Sequence, residues 1–191
     1  MSIEKAKASD TMMSGLVAGT KSGEAAKATG RFTMECYDKD GLLKWRAESQ
    51  NLVVNVGLQY MAGVALTSTA QITSWYIGLY GAGASNTPAA TDTMSSHAGW
   101  TEVTPYAGTR PAATFAAATN ANPSVVTNSA SPASFTINAT QTVGGAFLTS
   151  NSTAGGTTGT LFSAADFQSP GDRSVVSGDT LNVTYTFSLA G

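Results

Sequence analysis

The chain has 191 residues and a formal net charge of −2. This length favours one domain with an appendage, and the charge gives no sign of the basic patch that a nucleic-acid partner requires. A domain near this size buries about 70% of the surface of its unfolded chain, so it needs no disulfide, and the single cysteine, Cys36, can form none within the chain.

Membrane and export signals are weak. The longest apolar stretch, residues 56–66, is 11 residues long, whereas a bilayer-spanning helix needs about 20. The first five residues lack the apolar segment of a signal peptide. We therefore expect synthesis in a cytoplasm and no membrane partner.

Charged side chains are unevenly distributed. Of 22 charged residues, 15 lie in residues 1–50, and the last 141 positions carry only seven. A free soluble protein normally keeps charge on its surface to stay dispersed. The sparse charge therefore indicates a surface that neighbouring proteins partly cover.

Residues 1–30 are predicted to form an extended N-terminal arm. Their large apolar residues are few: Ile3, Met12, Met13, Leu16 and Val17. Such a segment cannot offset its own ordering entropy. We interpret it as an arm that docks on a neighbour, with a floppy tail as the alternative.

Residues 31–191 are predicted to form the folded domain. Alternating apolar residues on both sides of Asp38–Gly41 predict a β-hairpin over residues 31–49. A helix is predicted over residues 55–66, with Asn55 as its N-cap. Its buried face is predicted from the helical spacing of Leu58, Met61, Ala62 and Ala65.

From residue 71 onward the pattern predicts short strands. Their predicted ranges are 73–80, 100–105, 111–116, 124–128, 134–139, 142–149, 161–162, 173–176 and 180–189. In the last one, Leu181, Val183, Tyr185, Phe187 and Leu189 are predicted to share one face. Short strands separated by Gly, Asn, Ser and Pro turns predict an all-β, antiparallel β-sandwich, jelly-roll-like in style.

Candidate catalytic and metal-binding residues do not form a recognisable set. His97 is the only histidine and lacks a nucleophile motif beside it, so we expect a loop residue with a local hydrogen bond. Asp38 and Asp40 fit a hairpin turn better than a calcium loop. We expect turn hydrogen bonds for Asp166, Asp172 and Asp179, although the sequence leaves open a glycosidase carboxylate pair formed in space.

The glycine-rich residues 155–159 lack the lysine of a phosphate loop and are predicted to form a flexible turn. From these patterns together we expect no enzyme activity, no catalytic residue, no cofactor and no metal.

Five amphipathic aromatic residues cluster in the middle third: Trp75, Tyr76, Tyr80, Trp100 and Tyr106. Packing in the core and its turns accounts for them most simply. The alternative is a surface that stacks on sugars or contacts a protein, because such side chains are enriched at interfaces.

Several segments in order resemble structural proteins of tailed-bacteriophage virions. They are NLVVNVGL at 51–58, WYIGL at 75–79, DTMSSHAGWTE at 92–102, GGTTGTLFSA at 155–164 and GDTL at 178–181. The resemblance spans roughly residues 50–189. It implies a virion component without catalytic residues, similar in size and style to head decoration (cement) proteins, and it does not decide between head and tail.

Two functions remain open from the sequence. The first is a decoration protein on the outer capsid surface that binds the major capsid protein and copies of itself. The alternative is a tail-fibre or receptor-binding protein that contacts a host-surface glycan. The chain has no fibre-like repeats and has a long arm, and both features favour the first.

Overall fold

The computed structural model describes residues 26–81, 87–167 and 171–191. It confirms the prediction of an all-β sandwich built from two antiparallel sheets. The predicted arm lies outside the described residues as far as residue 25. The elements are β1 (Lys27–Tyr37), β2 (Leu43–Gln50), β3 (Leu52–Val53), α1 (Asn55–Leu66), β4 (Tyr76–Gly81), β5 (Glu102–Val103), β6 (Ser124–Thr127), β7 (Ala133–Thr136), β8 (Gln141–Thr149), β9 (Leu161–Asp166), β10 (Arg173–Val175) and β11 (Thr180–Ala190).

The first sheet is centred on the first and last strands of the described domain. Its order is β2-β1-β11-β6, and β7 also pairs with β11. β1 and β11 pair along their whole length, from Lys27 with Ala190 to Tyr37 with Thr180. The predicted hairpin is confirmed as β1 and β2, and β1 begins four residues earlier than predicted.

The hairpin turn forms as its sequence predicts. The carboxylate of Asp38 accepts hydrogen bonds from the backbone N–H groups of Asp40 and Leu42, each at 2.9 Å. Gly41 has φ +79°, a conformation in which a residue with a Cβ is strained. Asp38 is thus used to close the turn.

The second sheet has the order β3-β9-β8-β4-β5, with β10 also paired with β8. One face of β8 packs in the main core through Val143, Ala146 and Leu148. The other face carries Phe147, which belongs to a second cluster with Val54, Tyr80, Met94, Trp100, Leu161 and Ala164. Residues 87–100 therefore cover the face of this sheet that a simple sandwich exposes to water.

The main core lies between the sheets. Its inward-facing residues on β1 are Phe32, Met34 and Cys36, and those on β11 include Leu181, Val183 and Tyr185. The predicted alternation along the last strand is confirmed for these three β11 residues. Phe187 is only partly buried and Leu189 is 40% exposed, so the end of β11 runs beyond the covered core.

Helix α1 has the predicted bounds, but two of its predicted details are wrong. Its N-cap is Val54, which has extended dihedrals. A valine side chain has no hydrogen-bonding atom and makes no cap hydrogen bond; it is instead fully buried in the second cluster. The side that packs inward carries Gly57, Tyr60 and Met61, whereas Leu58, Ala62 and Ala65 are exposed. Only Met61 of the predicted face turns inward.

Gly57 explains this orientation of the helix. A Cβ at this position would overlap the backbone carbonyl of Phe162 on β9. The helix backbone therefore lies directly against the sheet at Gly57, where only a glycine leaves enough room. Spacing of apolar residues could not predict this, because α1 is apolar on nearly every side.

Several predicted strands are shorter than their patterns suggest. The stretch 111–116 forms no strand and has only an isolated bridge, between Ala112 and Tyr76. The stretch 100–105 keeps two strand residues, Glu102 and Val103. Both stretches lie next to the buried ion pair between Glu102 and Arg110.

Candidate interaction surface

A buried ion pair joins two long loops near β5. Arg110 is 1% exposed. Its guanidinium donates to both carboxylate oxygens of Glu102, from Nε at 2.8 Å and from Nη2 at 2.6 Å. This two-point geometry is the strong form of the Arg–carboxylate pair, and the guanidinium also lies 5.2 Å from the centre of the Phe147 ring.

The same pair fixes the glycine-rich loop that the sequence predicts to be flexible. Arg110 donates to the carbonyl oxygens of Asn151 at 2.8 Å and Gly156 at 2.9 Å. The Gly155 N–H donates to Glu102 Oε2 at 2.8 Å. The loop is therefore held through its backbone by two side chains about 50 residues away in sequence.

A second buried charge ties the hairpin to the last strand. Asp179 is 2% exposed, and its Oδ2 accepts from Lys44 Nζ at 2.5 Å and from the Val176 N–H at 2.9 Å. Burial by itself raises the pKa of Asp179, but the hydrogen bonds from Lys44 and Val176 outweigh it and hold that pKa below its ordinary value. The neighbouring Cys36 thiol donates to the same oxygen at 3.6 Å, and burial together with the Asp179 charge raises the pKa of Cys36 to about 12.

A third buried carboxylate organises the 92–100 loop. Asp92 accepts a hydrogen bond from Trp100 Nε1 at 2.8 Å and from the Ala89 N–H at 2.9 Å. His97 stacks on Trp100 with ring centres 3.8 Å apart, and its Nδ1 lies 2.9 Å from the Trp100 carbonyl oxygen. The prediction of a local hydrogen bond for His97 is confirmed.

Sequence reasoning missed the roles of Arg110, Glu102 and Lys44. One signal was present, because an arginine in a region almost free of charge has few partners to choose from. Glu102 is the anion nearest to Arg110 in sequence. The sequence could thus have suggested the pair, although not its burial.

Burial of these groups leaves the surface of residues 51–191 almost without charge. Of the seven charged residues in this region, Asp92, Arg110 and Asp179 are buried and the Glu102 side chain is 8% exposed. Only Asp166, Asp172 and Arg173 reach solvent to a substantial degree. The exposed charges of the described domain are otherwise confined to β1, β2 and the turn between them.

Helix α1 is the most apolar part of this uncharged surface. Its sequence, NVGLQYMAGVAL, contains no charged residue. Leu58 is 43% exposed and Leu66 is 86% exposed, with Ala62 and Ala65 exposed between them. Asn55 and Gln59 are also exposed, but a helix without charged residues that leaves several apolar side chains in water has the character of an interface. We call Leu58, Ala62, Ala65 and Leu66 the α1 patch.

The five aromatic residues divide between the two interpretations that the sequence left open. Tyr80, Trp100 and Tyr106 are buried, which confirms core packing for these three. Trp75 and Tyr76 are partly buried, and Trp75 makes edge contacts with Tyr60 of α1 and Phe162 of β9. Of the five, only these two remain accessible to a ligand, and Trp75 lies against α1.

Within the described ranges, no group of three or more His, Cys, Asp or Glu side chains lies in an arrangement that could hold a metal ion. Asp38, Asp179 and His97 make the hydrogen bonds given above. In the same part of the chain, no helix is long and apolar enough to cross a membrane. No protein-family model, curated protein or solved structure matches the chain.

Proposed function

We propose that this chain is a structural protein of a tailed-phage virion, most specifically a head decoration (cement) protein that binds the assembled shell and bridges its capsomers. The observation that carries the proposal is the nearly uncharged surface of residues 51–191, which includes the apolar α1 patch. A surface of this kind favours association over a dispersed monomer. The resemblance of residues 50–189 to virion proteins supports a virion component, without deciding between head and tail.

The contact with the shell is proposed to be apolar, with backbone and hydroxyl hydrogen bonds at its rim. Screening by salt acts on exposed charges, and the α1 patch has none. The exposed ion pairs, such as Arg31 with Glu48 at 3.2 Å, lie on β1 and β2 and not on α1. Binding to the shell is therefore expected to persist in high salt.

Copy number in purified virions tests this proposal. We expect hundreds of copies per particle, because a cement protein repeats with the capsomers. The measurement is quantitative mass spectrometry of virions from the phage that encodes the chain, with the major capsid protein as the internal standard. Tens of copies or fewer would instead support the fibre or receptor-binding alternative.

A further inference from the structure

Strand β2 forms an open edge of the first sheet. It pairs with β1 on one side, and no described residue forms a backbone hydrogen bond with it on the other side. The opposite edge is covered, because the N–H groups of Ala116 and Thr119 donate to the carbonyl oxygens of Thr127 and Val125 on β6. An open edge presents unpaired backbone groups and is a template for another strand.

The edge strands of the second sheet offer less backbone to a partner. β3 and β5 have two residues each, and β10 has three. Beside β5, the chain itself covers the end of β4, because the Ile77 N–H donates to the carbonyl oxygen of Pro111. Among the described edge strands, β2 is therefore the longest, with eight residues.

The side chains of β2 indicate which strand would fit beside it. Arg46, Glu48 and Gln50 are exposed on its outer face. Ala47 and Ser49 are buried on its inner face. Charged side chains usually protect an edge from pairing. Here a cation and an anion stand two residues apart, so the same strand running in the opposite direction can bring opposite charges together.

One register of two antiparallel β2 strands makes use of this pattern. The two outer faces stay on the same side only when the two-fold axis passes through a residue. With the axis at Ala47, Arg46 of each copy lies opposite Glu48 of the other copy, at a Cβ separation of about 5 Å. An axis at Arg46 or at Glu48 would instead place two identical charges opposite each other, which is destabilising.

Contacts within one copy leave these side chains free to pair across the edge. Arg46 Nη2 lies 2.5 Å from Glu48 Oε1, and the two side chains are 55% and 39% exposed. An exposed pair of this kind contributes little to stability. Exchanging it for the same pair between two copies therefore costs little.

We propose that two copies of this chain associate through their β2 strands and join their first sheets into one continuous sheet, with the two-fold axis at Ala47. Backbone hydrogen bonds provide the attraction in this form of strand addition. The two symmetry-related pairs of Arg46 with Glu48 select the register. The inference concerns the purified protein and does not depend on the decoration role.

Sedimentation equilibrium of the full chain tests the association. We expect the wild type, whose chain is 19.4 kDa, to form a dimer. Arg46→Glu and Glu48→Arg should each weaken the dimer at least tenfold, because each places like charges opposite each other at two positions. The double variant that carries both changes should restore the dimer, since it exchanges the charges and keeps them complementary.

The hairpin turn supplies the matched controls. Lys39→Glu and Asp40→Arg make the same changes of charge at exposed positions outside β2, and both should dimerise like the wild type. Circular dichroism should show that every variant is folded, because all four positions are exposed. A wild type that stays monomeric at every concentration, or a dimer that Arg46→Glu does not weaken, would overturn the proposal.

A disulfide between copies tests the register. In a Cys36→Ala background, Arg46→Cys chains are mixed with Glu48→Cys chains and oxidised. The mixture should cross-link more than either variant alone, because directly opposite Cβ atoms lie within the range of a disulfide and diagonal ones do not. Cross-linking of Arg46→Cys chains with one another to the same extent as in the mixture would contradict an axis at Ala47.

Discussion

Arg110 and Glu102 show how a buried ion pair can organise loops through hydrogen bonds to their backbones. Their hydrogen bonds reach the backbones of Asn151, Gly155 and Gly156. The loop that follows β5 and the loop between β8 and β9 thereby gain one common centre. These hydrogen bonds hold loop backbones made of residue types that would otherwise favour mobile loops.

Breaking this pair should be far more costly than breaking an exposed one. Glu102→Gln leaves the buried Arg110 charge without its counter-ion, so we expect a loss of about 3–5 kcal/mol in the free energy of unfolding. The matched control is Glu48→Gln, which breaks the exposed pairs with Arg31 and Arg46 and should cost about 1 kcal/mol or less. Urea denaturation of both variants measures the difference, and equal losses would contradict the buried network.

Cys36 should give the protein a recognisable loss of stability at alkaline pH. Its pKa is about 12 in the folded chain and about 8.5 in an unfolded one. Between these values the folded state holds the thiol proton that the unfolded state has lost, so stability falls as pH rises, by up to about 1.4 kcal/mol per pH unit. Below about pH 8.5 the contribution is fully present.

Cys36→Ala should remove that part of the pH dependence. Urea denaturation at pH 8, 9 and 10 should show the wild type losing stability more steeply than the variant above pH 9. Lys44 and the buried tyrosines titrate in both proteins, so the difference between the two curves reports the thiol. Parallel curves would show that the Cys36 site does not suppress ionisation.

Among the elements, helix α1 links the sequence most directly to the proposed contact surface. Its bounds follow from local pattern, but its orientation follows from Gly57 resting on the carbonyl of Phe162, a contact between segments about 100 residues apart. An apolar helix offers several possible inward faces to a pattern-based prediction. Tertiary contact selects one of them, and the apolar residues left outside form the α1 patch.

Charge introduced into the α1 patch should block binding to shells and leave folding intact. Leu58→Glu and Leu66→Glu lie at exposed positions, so each should change the free energy of unfolding by about 0.5 kcal/mol or less. Each should nonetheless lower the affinity for shells at least tenfold, because a desolvated charge has no partner in an apolar contact. Cosedimentation with protein-free shells measures the affinity.

Leu43→Glu is the matched control for these variants. Leu43 is 55% exposed on β2, among the charged residues of the hairpin. This variant should bind shells like the wild type. An equal loss of binding in all three variants would show that the contact with the shell does not depend on α1.

At the scale of the whole molecule, the sandwich could be predicted because strand alternation is a local property. Leu181, Val183 and Tyr185 show it directly. The coverage of the second sheet could not be predicted, since Phe147, Tyr80 and Trp100 meet only after three distant segments pack. The α1 patch could not be predicted either. The spacing of apolar residues does not show which side of an apolar helix faces the core.

Thermal rupture of shells with and without the protein tests the decoration role most directly. A protein that binds only the assembled shell shifts the equilibrium toward it. We therefore expect decorated shells to rupture at a higher temperature than stripped shells, and re-addition of the purified chain to restore the difference. Equal rupture temperatures, together with loss of adsorption of stripped particles to host cells, would contradict the decoration role and identify a receptor-binding protein instead.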